Sequence, residues 1–139
     1  MRIERVNHLG VIVGDMDAAI AGFRDRLGLE LEKTEVYADI LDIAFLPCGD
    51  TQVELICPRE DDDPAARWLR EHGPGIQHVA FEVDDLDAAL AELRERGVQP
   101  LGEAPRPGAD ETIIAFLDPR SFGGILVELC QPRQATPGE

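Results

Sequence analysis

The chain has 139 residues, with 13 Lys or Arg against 28 Asp or Glu and a formal charge of −15. Its length is typical of one domain with its own core. The negative charge argues against nucleic acid and against anionic membrane surfaces, which both bind through basic side chains. The apolar runs are shorter than the ~20 residues of a membrane span, and no secretory signal follows Met1.

The first half of the chain predicts the order βαβββ. Alternating β-branched residues predict the first strand, and Asp15 is the expected N-cap of the helix that follows. Gly28 ends that helix, and Gly49-Asp50 marks a hairpin turn. The predicted elements are a strand at 3–13, a helix at 16–27, and strands at 29–37, 41–46 and 51–57.

The second half predicts the same order after a short linking helix at 63–72. Asp85 is the expected N-cap of its helix, and Gly97 ends it. The elements are a strand at 77–83, a helix at 86–96, and strands at 98–102, 112–117 and 125–130. We therefore predict one domain, 1–139, with modules at 1–60 and 75–131, a linker at 61–74 and a loose polar tail at 132–139.

The two halves repeat each other in sequence. At a shift of 70 residues His8 aligns with His78, and the acidic starts of the two helices also align. VELICPR at 53–59 resembles VELCQPR at 127–133 at a shift of 74, which predicts a longer loop in the second half. One small module cannot bury its inner face alone. The repeat therefore predicts an α+β fold of two paired βαβββ modules, with a curved mixed sheet around a cavity.

Four polar residues interrupt the apolar strands: His8, Glu54, His78 and Glu128. A buried carboxylate costs several kcal/mol unless it is paired or binds a metal. Each residue alone also fits a solvent-facing glutamate or a hydrogen-bonded core histidine. Their recurrence at matching places in both halves favours a shared metal site. Two imidazoles and two carboxylates suit zinc, cobalt, nickel, manganese or iron(II).

The remaining polar and aromatic signals favour structural roles. Cys48, Cys57 and Cys130 lie in apolar strand contexts, and their odd number and wide spacing predict buried reduced thiols in a cytoplasmic protein. Trp68 is expected to pack on the face of the linking helix, and His72 to be a solvated helix-end residue. The sequence contains neither a phosphate-binding glycine loop nor a serine hydrolase elbow.

The motif NHLGV, the matched histidine and the VEL endings resemble the vicinal oxygen chelate superfamily. Within it, the chain is similar over residues 3–131 to the methylmalonyl-CoA epimerase family. The stretches that carry the likeness are AFLPCGDTQVELICP, the region from DDDPAARWLREHGPG to the second histidine, EAPRPGA, and DPRSFGGILVELCQ. The resemblance implies His8, Glu54, His78 and Glu128 as ligands of one divalent ion, which we expect to be Co, Mn, Ni or Zn.

The resemblance implies an epimerase that interconverts (2R)- and (2S)-methylmalonyl-CoA through an enolate, with Glu128 and Glu54 as the catalytic carboxylates. The alternatives are a glyoxalase I-type lactoylglutathione lyase, which would use the same ligands, and a non-catalytic antibiotic-binding protein. An extradiol dioxygenase is disfavoured, because its iron site has one carboxylate. The expected partner is an acyl-CoA, and superfamily members often form homodimers.

Three stretches depart from the family pattern. Epimerases commonly have GAGG where this chain has GADE at 108–111, and HPKS where it has DPRS at 118–121. Some epimerases also place a base on the third strand, where this chain has Ile43 beside Asp42. Asp42 is a weak candidate base, and Gln52 a candidate ligand-binding residue near Glu54. The candidate cations for CoA phosphates are Arg59, Arg106, Arg120 and Arg133.

Overall fold

The structure is a computed structural model that describes residues 1–133. Within this range the order βαβββ occurs twice, and one further helix lies between the two copies. The elements are β1 (Ile3–Ile12), α1 (Met16–Ile20), β2 (Lys33–Tyr37), β3 (Leu41–Cys48), β4 (Thr51–Pro58), α2 (Pro64–His72), β5 (Gly75–Val83), α3 (Leu86–Glu95), β6 (Pro100–Pro107), β7 (Thr112–Leu117) and β8 (Leu126–Pro132). The predicted α+β class and the predicted order of elements are confirmed.

Each of the three α-helices within residues 1–133 begins at an aspartate whose side chain accepts a hydrogen bond from the backbone. Asp15, Asp63 and Asp85 each accept from the N–H three residues ahead, at 3.0 Å. Such a cap satisfies one of the backbone donors that a helix start leaves unpaired. The repeated Asp-x-Asp-Ala-Ala sequence therefore starts α1 and α3 in the same way.

Two differences from the predicted boundaries stand out in the first module, whereas β1, β3 and β4 differ from them by only one or two residues. The predicted single helix at 16–27 is an α-helix only to Ile20, and it continues as a π-helix over Ala21–Arg26. Gly22 lies inside this segment, where a residue without a side chain lowers the cost of leaving α geometry. β2 begins at Lys33 rather than at 29, because Leu29 and Leu31 pack into the core below α1.

The second module differs in two further places. β6 is longer than predicted, and its register with β7 shifts between Leu101 and Arg106. The sequence DPRSF forms a 3-10 turn, Pro119–Phe122, which had not been predicted. Asp118 caps this turn and also binds the Arg120 side chain at 2.6 Å.

Contacts divide the chain into two units. The first is Val6–Val79, and the second is Met1–Arg5 together with the described residues from Ala80 onward. In the first unit the strand order is β2-β3-β4-β1, with the start of β5 next to β1. β1 pairs with β4 in parallel, and the β2–β3 and β3–β4 pairs are antiparallel.

The sheet of the first unit has one apolar face covered by α1. Val13, Ala44, Leu46 and Leu55 are buried on this face, and Met16 packs against them. Because side chains alternate along a strand, Phe45 and Glu54 lie on the opposite face. The candidate site of the first unit is on that opposite face.

In the second unit the end of β5 is followed by β8, β7 and β6. The β7–β8 and β6–β7 pairs are antiparallel. Leu86, Ala89, Leu90 and Leu93 form the buried stripe of α3. At the start of β1, Arg5 donates to both carboxylate oxygens of Glu82, at 3.1 and 3.2 Å.

Three features bear on the sequence predictions. Cys57 is half-buried and Cys130 buried, whereas Cys48 is exposed at the end of β3, so its predicted burial is wrong. Asp110 and Glu111 have φ of 55° and 54°, in the left-handed region that glycine adopts at lower cost. Residues 134–139 of the predicted tail lie outside the described part, whereas Pro132 belongs to β8.

Within residues 1–133, no helix combines the length and the apolar character that crossing a membrane requires.

Candidate metal centre

The two histidines of the repeat meet in the first unit. His8 is on β1 and His78 on β5, and their side chains are almost fully buried. The Nε2 atoms of the two rings are 3.2 Å apart, and the rings meet edge to face at 85°. The repeat therefore brings two imidazole nitrogens to one point.

An amide side chain precedes each histidine and contacts its other ring nitrogen. Asn7 Oδ1 is 2.8 Å from His8 Nδ1, and Gln77 Oε1 is 2.9 Å from His78 Nδ1. An amide oxygen only accepts, so each contact requires a proton on Nδ1 of the imidazole. Asn7 and Gln77 also align at the shift of 70, a signal that could have identified them from sequence.

Glu54 lies beside the histidines on β4 and is 5% exposed. Its Oε2 is 2.9 Å from His8 Nδ1, the ring edge that Asn7 also contacts. Its neighbour in the parallel β1–β4 pair is Gly10. His8, Glu54 and His78 thus form one buried polar group on this sheet.

Gly10 leaves the space that the His78 ring occupies. A Cβ at position 10 would lie 2.0 Å from His78 Cε1 and 2.4 Å from each ring nitrogen. These separations are far below van der Waals contact, so a side chain at position 10 would displace the imidazole. The glycine in NHLGV is therefore a steric requirement of the second histidine.

Burial keeps His78 neutral. Loss of solvation, reinforced by the nearby His8, lowers the pKa of His78 to about 3 from its ordinary value of 6.5. A neutral imidazole with its proton on Nδ1 is the form that binds a metal ion through Nε2.

The fourth predicted residue, Glu128, lies in the second unit. It is on β8, is 4% exposed, and is paired in register with Phe116 of β7. Glu54 is paired in the same way with Phe45 of β3. The two glutamates therefore occupy equivalent strand positions in their own modules.

The histidine geometry fits one metal ion. Two nitrogens each about 2.1 Å from an ion, at a right angle to each other, lie about 3.0 Å apart. The observed separation of 3.2 Å is close to this value. The donor set accordingly suits a divalent cation.

The other predicted site residues have different surroundings. Gln52 is half-buried on the Glu54 face of β4, whereas Asp42 lies on the α1 face of β3, 3.8 Å from Arg59. Arg59 also pairs with Asp39. Trp68 stacks on His72 with ring centres 4.6 Å apart, in agreement with its predicted packing role.

Fold and buried donors together define a two-module α+β protein with a candidate metal centre. A model of the Glyoxalase/Bleomycin resistance protein/Dioxygenase superfamily matches residues 7–116. The chain belongs to this superfamily, and the predicted vicinal oxygen chelate fold is confirmed by solved structures.

Three comparisons are informative. An ethylmalonyl-CoA/methylmalonyl-CoA epimerase of Cereibacter sphaeroides is 36% identical over 93% of this chain and 98% of its own. The structure of methylmalonyl-CoA epimerase from Mycobacterium tuberculosis matches with a TM-score of 0.89 at 36% identity, over 95% of this chain and 90% of that one. The structure of a methylmalonyl-CoA epimerase in complex with methylmalonyl-CoA and NH4+ matches with a TM-score of 0.87 at 32% identity, over 94% of this chain and 96% of that one.

We predict that Gly10→Ala lowers the free energy of unfolding by about 1–3 kcal/mol and weakens metal binding, because the new methyl group displaces His78. Urea unfolding and a cobalt-binding titration measure the two effects. Gly14→Ala is the matched control, since its Cβ would lie 3.7 Å from Leu69, an ordinary contact. In the His78→Ala background the stability loss should largely disappear. An equal loss in both backgrounds would contradict the steric explanation.

We predict a pH-dependent stability of the metal-free protein that arises from His78. In the unfolded chain His78 binds a proton as the pH falls below about 6.5, whereas in the folded protein it stays unprotonated down to about pH 3. This contribution to the free energy of unfolding is therefore fully present well above pH 6.5 and is lost as the pH falls towards 3, with a slope that approaches about 1.4 kcal/mol per pH unit once the pH is about one unit below 6.5. Urea unfolding in EDTA between pH 7 and pH 5 should show this slope develop, and His78→Gln should reduce it. An unchanged slope in His78→Gln would refute the assignment.

Proposed function

We propose that this protein is a metal-dependent epimerase that interconverts (2R)- and (2S)-methylmalonyl-CoA. The predicted enzyme class, a racemase or epimerase, is confirmed by relatives of that name at about 35% identity. The substrate and the metal dependence are the proposed part. The observation that supports them most is the pair of buried imidazoles with Nε2 atoms 3.2 Å apart beside a buried glutamate.

We assign His8, Glu54, His78 and Glu128 as the ligands of one divalent ion, with Co, Mn, Ni and Zn as candidates. Glu128 is included because it occupies in the second module the position of Glu54 in the first. When bound, the ion supplies positive charge that stabilises the enolate oxygen formed from the thioester. Asn7 and Gln77 hold the two imidazoles in the orientation that exposes Nε2.

The carboxylates move the proton. One of them takes the proton from C2, and the C–H electron pair forms the C=C bond of the enolate as the thioester carbonyl becomes an oxyanion. Return of a proton to the opposite face of C2 gives the other epimer. We assign Glu128 and Glu54 to these steps, because each is a buried carboxylate in its own module.

The test is deuterium exchange at C2. We expect metal-loaded protein incubated with (2R)-methylmalonyl-CoA in D2O to interconvert the epimers and to place deuterium at C2, as measured by NMR and mass spectrometry. EDTA should abolish both effects, and one of the four candidate metals should restore them. Glu128→Gln and His8→Ala should each lower turnover by at least about a hundredfold, the cost typical of losing an acid–base group or a ligand.

Two outcomes would contradict the proposal at different points. Conversion of methylglyoxal and glutathione to lactoylglutathione, without deuterium exchange in methylmalonyl-CoA, would reject the proposed substrate but would be compatible with the proposed metal centre. Full activity and full metal content in both His8→Ala and Glu128→Gln would reject the assigned residues. Asp42→Asn serves as a control, because Asp42 lies on the other face of β3 and should be replaceable.

A cytoplasmic location and a homodimer complete the proposal. Both derive from the sequence, the first from the three cysteines and the second from the superfamily, and gel filtration with light scattering tests the second.

A further inference from the structure

A small apolar patch lies beside Glu128 on the sheet of the second unit. Cys130 follows Glu128 by two residues on β8, so both side chains project from the same face. Ile114 of β7 is opposite Cys130, as Phe116 is opposite Glu128. Cys130, Ile114 and Ala80 of β5 are buried together, and Phe116 packs against them. The second unit thus places a buried carboxylate next to an apolar patch made of its own residues.

The first unit has the equivalent strand positions, with a larger side chain at one of them. Ile43 of β3 is opposite Ile56 of β4, and Phe45 is opposite Glu54. Ile56 is buried and follows Glu54 by two residues, which is the place of Cys130 in the second unit. A cysteine side chain is shorter than that of isoleucine and is not branched.

Two exchanges therefore distinguish the patches of the two modules. Cys130 stands where the first module has Ile56, and this exchange shortens a side chain. Ala80 stands where the first module has Gly10, and this exchange adds a methyl group. The isoleucine-to-cysteine exchange removes more than the methyl group adds, so the second module has the smaller set of side chains beside its glutamate.

The loop between β6 and β7 holds the patch from the side of Ile114. A Cβ on Gly108 would lie 2.4 Å from Ile114 Cγ2, so the backbone of this glycine packs directly on the isoleucine side chain. The N–H of Gly108 donates to the Thr112 carbonyl at 2.9 Å, and the Thr112 hydroxyl donates to the Ala109 carbonyl at 2.7 Å. Because the loop fixes Ile114, the side chain opposite it, Cys130, determines how much space the patch offers.

We propose that Cys130 is a specificity-determining residue that receives the alkyl substituent on C2 of the acyl group. The inference rests on the proposed function, in which Glu128 exchanges the proton of C2. A carboxylate that contacts the hydrogen on C2 also lies near the other groups on that carbon. The carboxylate and the thioester of the substrate are polar, whereas the alkyl group gains free energy from apolar burial. The patch of Cys130 offers such a surface on the same face as Glu128.

The test uses three thioesters that differ only at C2: malonyl-CoA, methylmalonyl-CoA and ethylmalonyl-CoA. We expect metal-loaded wild-type protein to bind methylmalonyl-CoA about three- to fivefold more tightly than malonyl-CoA in calorimetry, the gain from burying one methyl group. Cys130→Val adds bulk to the patch, so it should abolish this preference and weaken ethylmalonyl-CoA relative to malonyl-CoA by about tenfold. Cys130→Ala enlarges the space and should strengthen ethylmalonyl-CoA relative to methylmalonyl-CoA by about three- to fivefold. The alanine variant keeps the test decisive if the valine variant does not fold.

Ile56→Val is the matched control, because it shortens the side chain at the equivalent position of the first module. Its affinity ratios among the three thioesters should stay within twofold of wild type. Unchanged ratios in the Cys130 variants, or changed ratios in Ile56→Val alone, overturn the inference. Calorimetry needs no turnover, so the two proposals fail separately. The expected ratios without deuterium exchange at C2 would support the role of Cys130 and reject the proposed reaction, whereas exchange with unchanged ratios would reject the role of Cys130 alone.

Discussion

Two imidazoles that share a buried space are the constraint on which the candidate site depends. Their Nε2 atoms are 3.2 Å apart, and an amide oxygen lies within hydrogen-bond distance of Nδ1 in each ring. A divalent ion bound between them would accept a lone pair from each Nε2. The roles of three neighbouring residues follow from this arrangement. Gly10 provides space for the His78 ring, and Asn7 and Gln77 accept from Nδ1 of the two imidazoles.

The duplicated module explains how one short sequence motif is used twice. In each copy the first strand presents an amide followed by a histidine, and the last strand presents a glutamate opposite a phenylalanine. A basic side chain also lies over each phenylalanine, Lys33 over Phe45 and Arg106 over Phe116, although the two come from different places along β2 and β6.

Most of the fold was predictable because it follows from local rules. The aspartate caps, the glycine stops and the alternation in strands identified the order βαβββ, and the repeat identified His8 and His78 as partners. The features that the sequence did not predict depend on interactions that no local pattern encodes. The π-helical turn, the register shift in β6 and the exposure of Cys48 depend on packing. The steric role of Gly10 and the position of Lys33 require the register between strands.

An anomalous-scattering map of cobalt-soaked crystals tests the metal centre most directly. We predict a single strong cobalt peak per chain, about 2.1 Å from Nε2 of both His8 and His78, with carboxylate oxygens of Glu54 and Glu128 completing the protein ligands. His78→Ala crystals should lack it. A map without a peak at the two histidines, or with the cobalt bound only at surface carboxylates, would contradict the proposed centre.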